Sequence, residues 1–118
     1  MGSEDVYKRQ LMSDPDVLLL DEPTAGVDLG GREALVAALD NIAVNNGPAT
    51  VFVTHHVEDI PGTSTHLLAI ADGQAVASGP INEVLSGQLL TDMFKIPVKL
   101  RQTNDRWTAT AQPSETHL

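Results

Sequence analysis

Val17-Leu18-Leu19-Leu20-Asp21-Glu22-Pro23 places four aliphatic residues, two carboxylates and a proline in an unbroken row. Consecutive aliphatic residues without polar alternation predict a strand buried on both faces, the habit of parallel sheets covered by helices. Asp14-Pro15-Asp16 supplies a turn before the strand. Pro23 stops it, because proline cannot donate to a central ladder. The strand therefore delivers Asp21 and Glu22 to its carboxyl end, the edge where open α/β sheets collect ligands. One carboxylate there suits Mg²⁺, usually through water, because that ion keeps most of its hydration shell. The other suits accepting a proton from an attacking water. The same pair also fits a non-catalytic or phospho-acceptor α/β module that binds Mg²⁺ through its acids.

Downstream, Leu35, Leu39 and Ile42 follow a helical face over 29–45. Asp28 is placed to cap that helix, and Asn46-Gly47-Pro48 reads as its stop. Residues 50–54, Thr-Val-Phe-Val-Thr, form a second strand, completing a β-α-β unit. His55 follows it directly, on the same sheet edge as Asp21 and Glu22. A neutral imidazole there can hydrogen-bond a phosphate or the attacking water. His56, the next residue, is expected to point elsewhere.

Asp72-Gly73 between two β-type runs is the strongest short hairpin signal available. Gly79-Pro80 opens a short helix, 88–94 a second helical stretch, and 96–101 with 106–111 a last hairpin. Trp107 on that hairpin reads as a packing residue.

Of 118 residues, 42% are hydrophobic and only 3% aromatic, so the core must be aliphatic. Sixteen acids against seven Lys and Arg give a net charge of −9. That balance argues against nucleic acid, which needs a basic face. Without Cys, disulfides and thiolate metal sites are excluded. His55, His56, Glu58 and Asp59 do not follow the His-Glu-x-x-His spacing of a zinc site. No apolar run is long enough to span a bilayer, so a soluble protein is expected, with any membrane role reached through a partner.

Residues 17–28, VLLLDEPTAGVD, together with Val53-Thr54-His55-His56, resemble the Walker B motif, D-loop and H-loop of ABC transporter ATPases. Residues 71–85, ADGQAVASGPINEVL, are similar to the segment these domains place after the H-loop. The resemblance covers 11–94. It implies an α/β fold, part of a P-loop NTPase core of the ABC type, with parallel strands covered by helices. C-terminal antiparallel hairpins complete the expected architecture. It implies ATP and Mg²⁺ as ligands. Asp21 would be the Mg²⁺-linked aspartate, Glu22 the general base and His55 the switch histidine. Asp28 would be the D-loop aspartate that reaches across a head-to-tail dimer. The implied partners are a membrane permease subunit and a second nucleotide-binding domain, with the ATPase at the inner face of the membrane in the cytoplasm. Ala-Gly-Val-Asp after DEPT favours a transporter subunit over the soluble relatives that act on ribosomes.

The sequence departs from that family in lacking Gly-x-x-x-x-Gly-Lys-Ser/Thr, the amide cradle for phosphates. Residues 26–33 imitate its spacing but offer Arg32 and Glu33 where Lys and Ser/Thr are needed. Leu85-Ser86-Gly87-Gln88 echoes the family signature after the H-loop rather than before it, and reads as a helix end. Residues 1–10 look unlike the family and are expected to be an artefact or scar, 95–112 a hairpin extension, and 113–118 a frayed tail. A partial domain of this kind is expected to have negligible ATPase activity alone. Its strand at 50–54 is expected to expose backbone and promote association.

Overall fold

The computed structural model describes residues 16–112; the expectations for 1–10 and 113–118 lie outside the described residues. The chain divides into two compact units, one ending at Thr63 and the other beginning at Ser64.

The first unit is the β-α-β arrangement. Strand β1, Val17–Asp21, pairs in parallel with β2, Ala49–Val53, and helix α1, Leu29–Val44, runs between them. Register partners are Val17 with Ala49, Leu19 with Val51 and Asp21 with Val53. Leu18 and Leu20 face α1 and pack on Leu39 and Ile42, with Leu35, Ala38 and Phe52 at the margin. Val36 is also fully buried, whereas Leu35 is only half-buried, so the apolar stripe is centred closer to Val36 than the sequence spacing implied.

Helix α1 stops where expected. Asn46 takes the left-handed conformation at φ 55°. Gly47 N donates to Ile42 O at 2.8 Å and Asn46 N to Ala43 O at 3.3 Å, the hydrogen-bond pair of a Schellman stop. Gly47 is needed for space: a Cβ there would lie 2.4 Å from Ile42 Cγ2 and 3.0 Å from Ile42 O.

One expectation for β1 is corrected. Leu18 and Leu20 are buried, but Val17 and Leu19 remain 55% and 57% exposed. Val51 and Val53 of β2, their register neighbours, are exposed as well. Helix α1 covers one face only, and among the described residues of this unit nothing covers the other. The uniform aliphatic run records a strand suited to two covers, of which one is described. Among the described residues the sheet has two strands, so each also keeps one edge without a described strand partner.

The second unit begins with the antiparallel hairpin of β3, His66–Ala71, and β4, Gln74–Pro80. Its turn has Asp72 at φ 53° and Gly73 at φ 74°, the paired positive values of a type I′ turn. Helix α2, Ile81–Val84, and helix α3, Gly87–Phe94, follow. Leu85-Ser86 is therefore the junction of two helices rather than simply a helix end: Ser86 Oγ accepts from Leu89 N and caps α3. Strands β5, Val98–Thr103, and β6, Arg106–Ala111, form the last hairpin. Trp107 on β6 is buried, as expected of a packing residue.

Candidate functional site

The carboxyl ends of β1 and β2 lie side by side because the strands are parallel and in register to Asp21 and Val53. Glu22 N extends the ladder by donating to Val53 O at 2.8 Å. The chain then leaves the sheet at once. Glu22 has φ 47°, a conformation uncommon for a residue with a side chain and concentrated at functional sites. Two turns follow, closed by Ala25 N to Glu22 O and Val27 N to Thr24 O, both 3.1 Å. Gly26 at φ 75° supplies the left-handed position the second turn requires. Asp28 then caps α1, its Oδ1 accepting from Gly31 N at 2.8 Å.

This path brings Glu22 and His55 together, with Nε2 of the imidazole 2.9 Å from Oε1 of the carboxylate. The side chains are 77% and 43% exposed for His55 and Glu22. So exposed a pair adds little to stability; its interest is chemical. A carboxylate hydrogen-bonded to an imidazole at a sheet's ligand-binding edge can take a proton from water while the ring holds a second polar atom nearby. Asp21 ends β1 one residue earlier and is exposed. Among the described residues no three His, Asp or Glu side chains gather to hold a cation. A single strand-end carboxylate fits a hydrated Mg²⁺ arriving with a polyphosphate, which needs only one or two protein oxygens.

A hollow of about 350 Å³ lies beside Glu22, bordered also by Thr24, Gly26, Arg32, Thr54 and His56. His56 also borders this hollow. Its N–H donates to Thr54 Oγ1 at 3.1 Å, which folds the chain back just after β2.

The sequence reading missed the group beneath this surface. Thr24 and Asp59 are the buried polar residues among those described. Thr24 Oγ1 donates to Asp59 Oδ2 at 2.8 Å, and Thr54 Oγ1 approaches the same oxygen at 3.0 Å. Arg32 Nε lies 3.7 Å from Asp59 Oδ1. In sequence Asp59 reads only as a candidate metal ligand. The bond joining Thr24 to Asp59 spans 35 residues, and no local pattern announces it.

The parallel β-α-β unit, followed by antiparallel hairpins and short helices, defines an α/β fold. No family model matches the chain. It is 35% identical over 99 residues to an ABC transporter ATP-binding protein of Streptococcus mutans, a match over 83% of this chain and 38% of that protein. It is 38% identical to the ABC transporter ATP-binding protein YlmA of Bacillus subtilis, with the same coverage. It is 35% identical over 104 residues to the energy-coupling factor transporter ATP-binding protein EcfA of Methanoculleus marisnigri. Among solved structures, a metal-chelate type ABC transporter in an inward-facing conformation superposes with a TM-score of 0.75. That match covers 95% of this chain and 45% of that one at 23% identity, and carries the fold alone. The chain belongs to the ABC transporter ATP-binding proteins, as part of a nucleotide-binding domain. It spans about two-fifths of the length of these curated relatives, 38% in each of the three named.

Proposed function

We propose that this chain is the part of an ABC transporter ATPase subunit that supplies the general base for ATP hydrolysis. The observation that carries the reading is the 2.9 Å contact between Glu22 and His55 at the ends of neighbouring parallel strands. Glu22 takes the proton of the water that attacks the γ-phosphate. His55 holds Glu22 on one side through Nε2–H, or turns that N–H to a phosphate oxygen instead. Asp21 is the residue that would hold the hydration shell of Mg²⁺; bound with the nucleotide, that ion neutralises phosphate charge. Asp28, which caps α1, would also meet the second nucleotide-binding domain across a dimer interface. A membrane permease subunit and a position at the cytoplasmic face follow from the same reading. Among the described residues no helix is long and apolar enough to cross a membrane.

Phosphoryl transfer draws most of its rate from positioning and charge stabilisation, including the phosphate cradle. The 118 residues contain no Gly-x-x-x-x-Gly-Lys-Ser/Thr. They should therefore show negligible turnover alone. In the full-length protein, Glu22→Gln should lower ATP turnover by roughly 10²- to 10⁴-fold, the range expected on losing a general base, while ATP binding persists. Turnover unchanged by that substitution would remove Glu22 from this role.

A further inference from the structure

Resting on the hydrolytic reading above, we propose that Asp59 is a positioning residue, whose buried carboxylate ties together the two loops that carry Glu22 and His55.

Glu22 and His55 are both substantially exposed, so packing does little to fix them where they meet. Asp59, 3% exposed, borders the same hollow as Glu22. Burying a carboxylate is costly unless it is well partnered, and this one is hydrogen-bonded through Oδ2 while its Oδ1 faces a guanidinium whose Nε bonds Glu33 Oε2 at 3.2 Å. Oδ2 accepts from Thr24 Oγ1 at 2.8 Å and Thr54 Oγ1 at 3.0 Å. Oδ1 faces Arg32 Nε at 3.7 Å.

The positions of the two hydroxyls give the arrangement its meaning. Thr24 lies two residues after Glu22, past Pro23, in the turn closed by Ala25 N to Glu22 O. Thr54 directly precedes His55. One oxygen atom therefore holds the exit from β1 and the exit from β2 at a fixed separation. The 2.9 Å Glu22–His55 contact sits across the same gap.

Asp59 is itself set by the short 3₁₀ turn Val57–Asp59, in which its N–H donates to His56 O at 3.1 Å. Arg32, on the first turns of α1, brings a positive charge to the carboxylate's far side. Helix, both strand exits and the 3₁₀ turn thus converge on one side chain. Asp59 acts through Glu22 and His55, not on the nucleotide, so its loss should reduce the rate of the chemical step while leaving ATP binding largely intact.

The test is steady-state ATP hydrolysis by the full-length protein, with kcat and KM determined separately and thermal unfolding measured alongside. Asp59→Asn should lower kcat about 10- to 100-fold, the cost of misplacing a reacting group by an ångström or less, with KM for ATP nearly unchanged. Asp59→Glu, which retains the carboxylate, should recover a large part of that loss. Thr24→Val and Thr54→Val, each removing one hydroxyl donor, should give smaller losses of the same kind. These two variants decide the matter if Asp59→Asn does not fold. The proposal is overturned if Asp59→Asn keeps full kcat, or if Thr24→Val and Thr54→Val do so where Asp59→Asn does not fold. It is also overturned if Asp59→Asn and Asp59→Glu lose activity equally, in step with lost folded protein. Glu22→Gln, assayed in parallel, separates the two ideas. An inactive Glu22→Gln beside a fully active Asp59→Asn sinks only the positioning role. An active Glu22→Gln sinks the assignment of the base and this proposal with it.

Discussion

At Glu22 the backbone turns through a φ of 47° immediately after its N–H has paired with Val53 O. The last rung of the sheet is thus kept while the side chain swings to the strand end, where His55 meets it. Six residues on, Asp28 closes the same excursion by capping α1 through Gly31 N at 2.8 Å. Replacing Asp28 with alanine removes that acceptor. It should lower stability by about 0.5–2 kcal/mol, the usual cost of losing an N-cap, and chemical denaturation of the chain should show an earlier midpoint. An unchanged midpoint would mean the cap contributes nothing. The positions of Asp21, Glu22, Asp28 and His55 at the strand ends and the helix cap were legible in the sequence, because each follows or precedes a strongly patterned element. Asp59 was not. Its significance comes from a partner 35 residues away, and a buried aspartate looks in sequence like any solvated acid.

Elements announced by local chemistry were read correctly to within a few residues. The stop of α1 at Asn46-Gly47-Pro48 and the turn at Asp72-Gly73 each need residues with unusual backbone freedom or little bulk, and such residues are visible in a sequence. Gly47 illustrates the difference between freedom and space. Its place could be taken by alanine only by pushing against Ile42, whose Cγ2 would lie 2.4 Å from the new Cβ and whose carbonyl oxygen 3.0 Å. Gly47→Ala should cost about 1–3 kcal/mol, the range for forcing extra atoms into a packed region, measured by thermal or denaturant unfolding. A neutral result would show that the helix stop relaxes freely. What the pattern of β1 left unread was coverage. An aliphatic run states that a strand tolerates burial on both faces, but not which element supplies each cover, and Val17 and Leu19 stay more than half exposed.

For the molecule as a whole, that exposed face has a consequence. Val17, Leu19, Val51 and Val53 form one apolar surface on a sheet whose two strands, among the described residues, each keep an edge without a strand partner. Such edges and patches promote association. The 118-residue chain should therefore form oligomers that grow with concentration in sedimentation velocity, and Val51→Lys should reduce them. A monomer that unfolds in one cooperative step at all concentrations would contradict this. In function, Glu22 and His55 are proposed to act as one unit at the ends of neighbouring strands. The most direct test is a double-mutant cycle on ATP turnover in the full-length protein, combining Glu22→Gln with His55→Ala. Groups that act as a unit are strongly non-additive, so the double variant should be about as slow as the slower single variant. Losses that multiply, as for two independent residues, would show that the two side chains act separately.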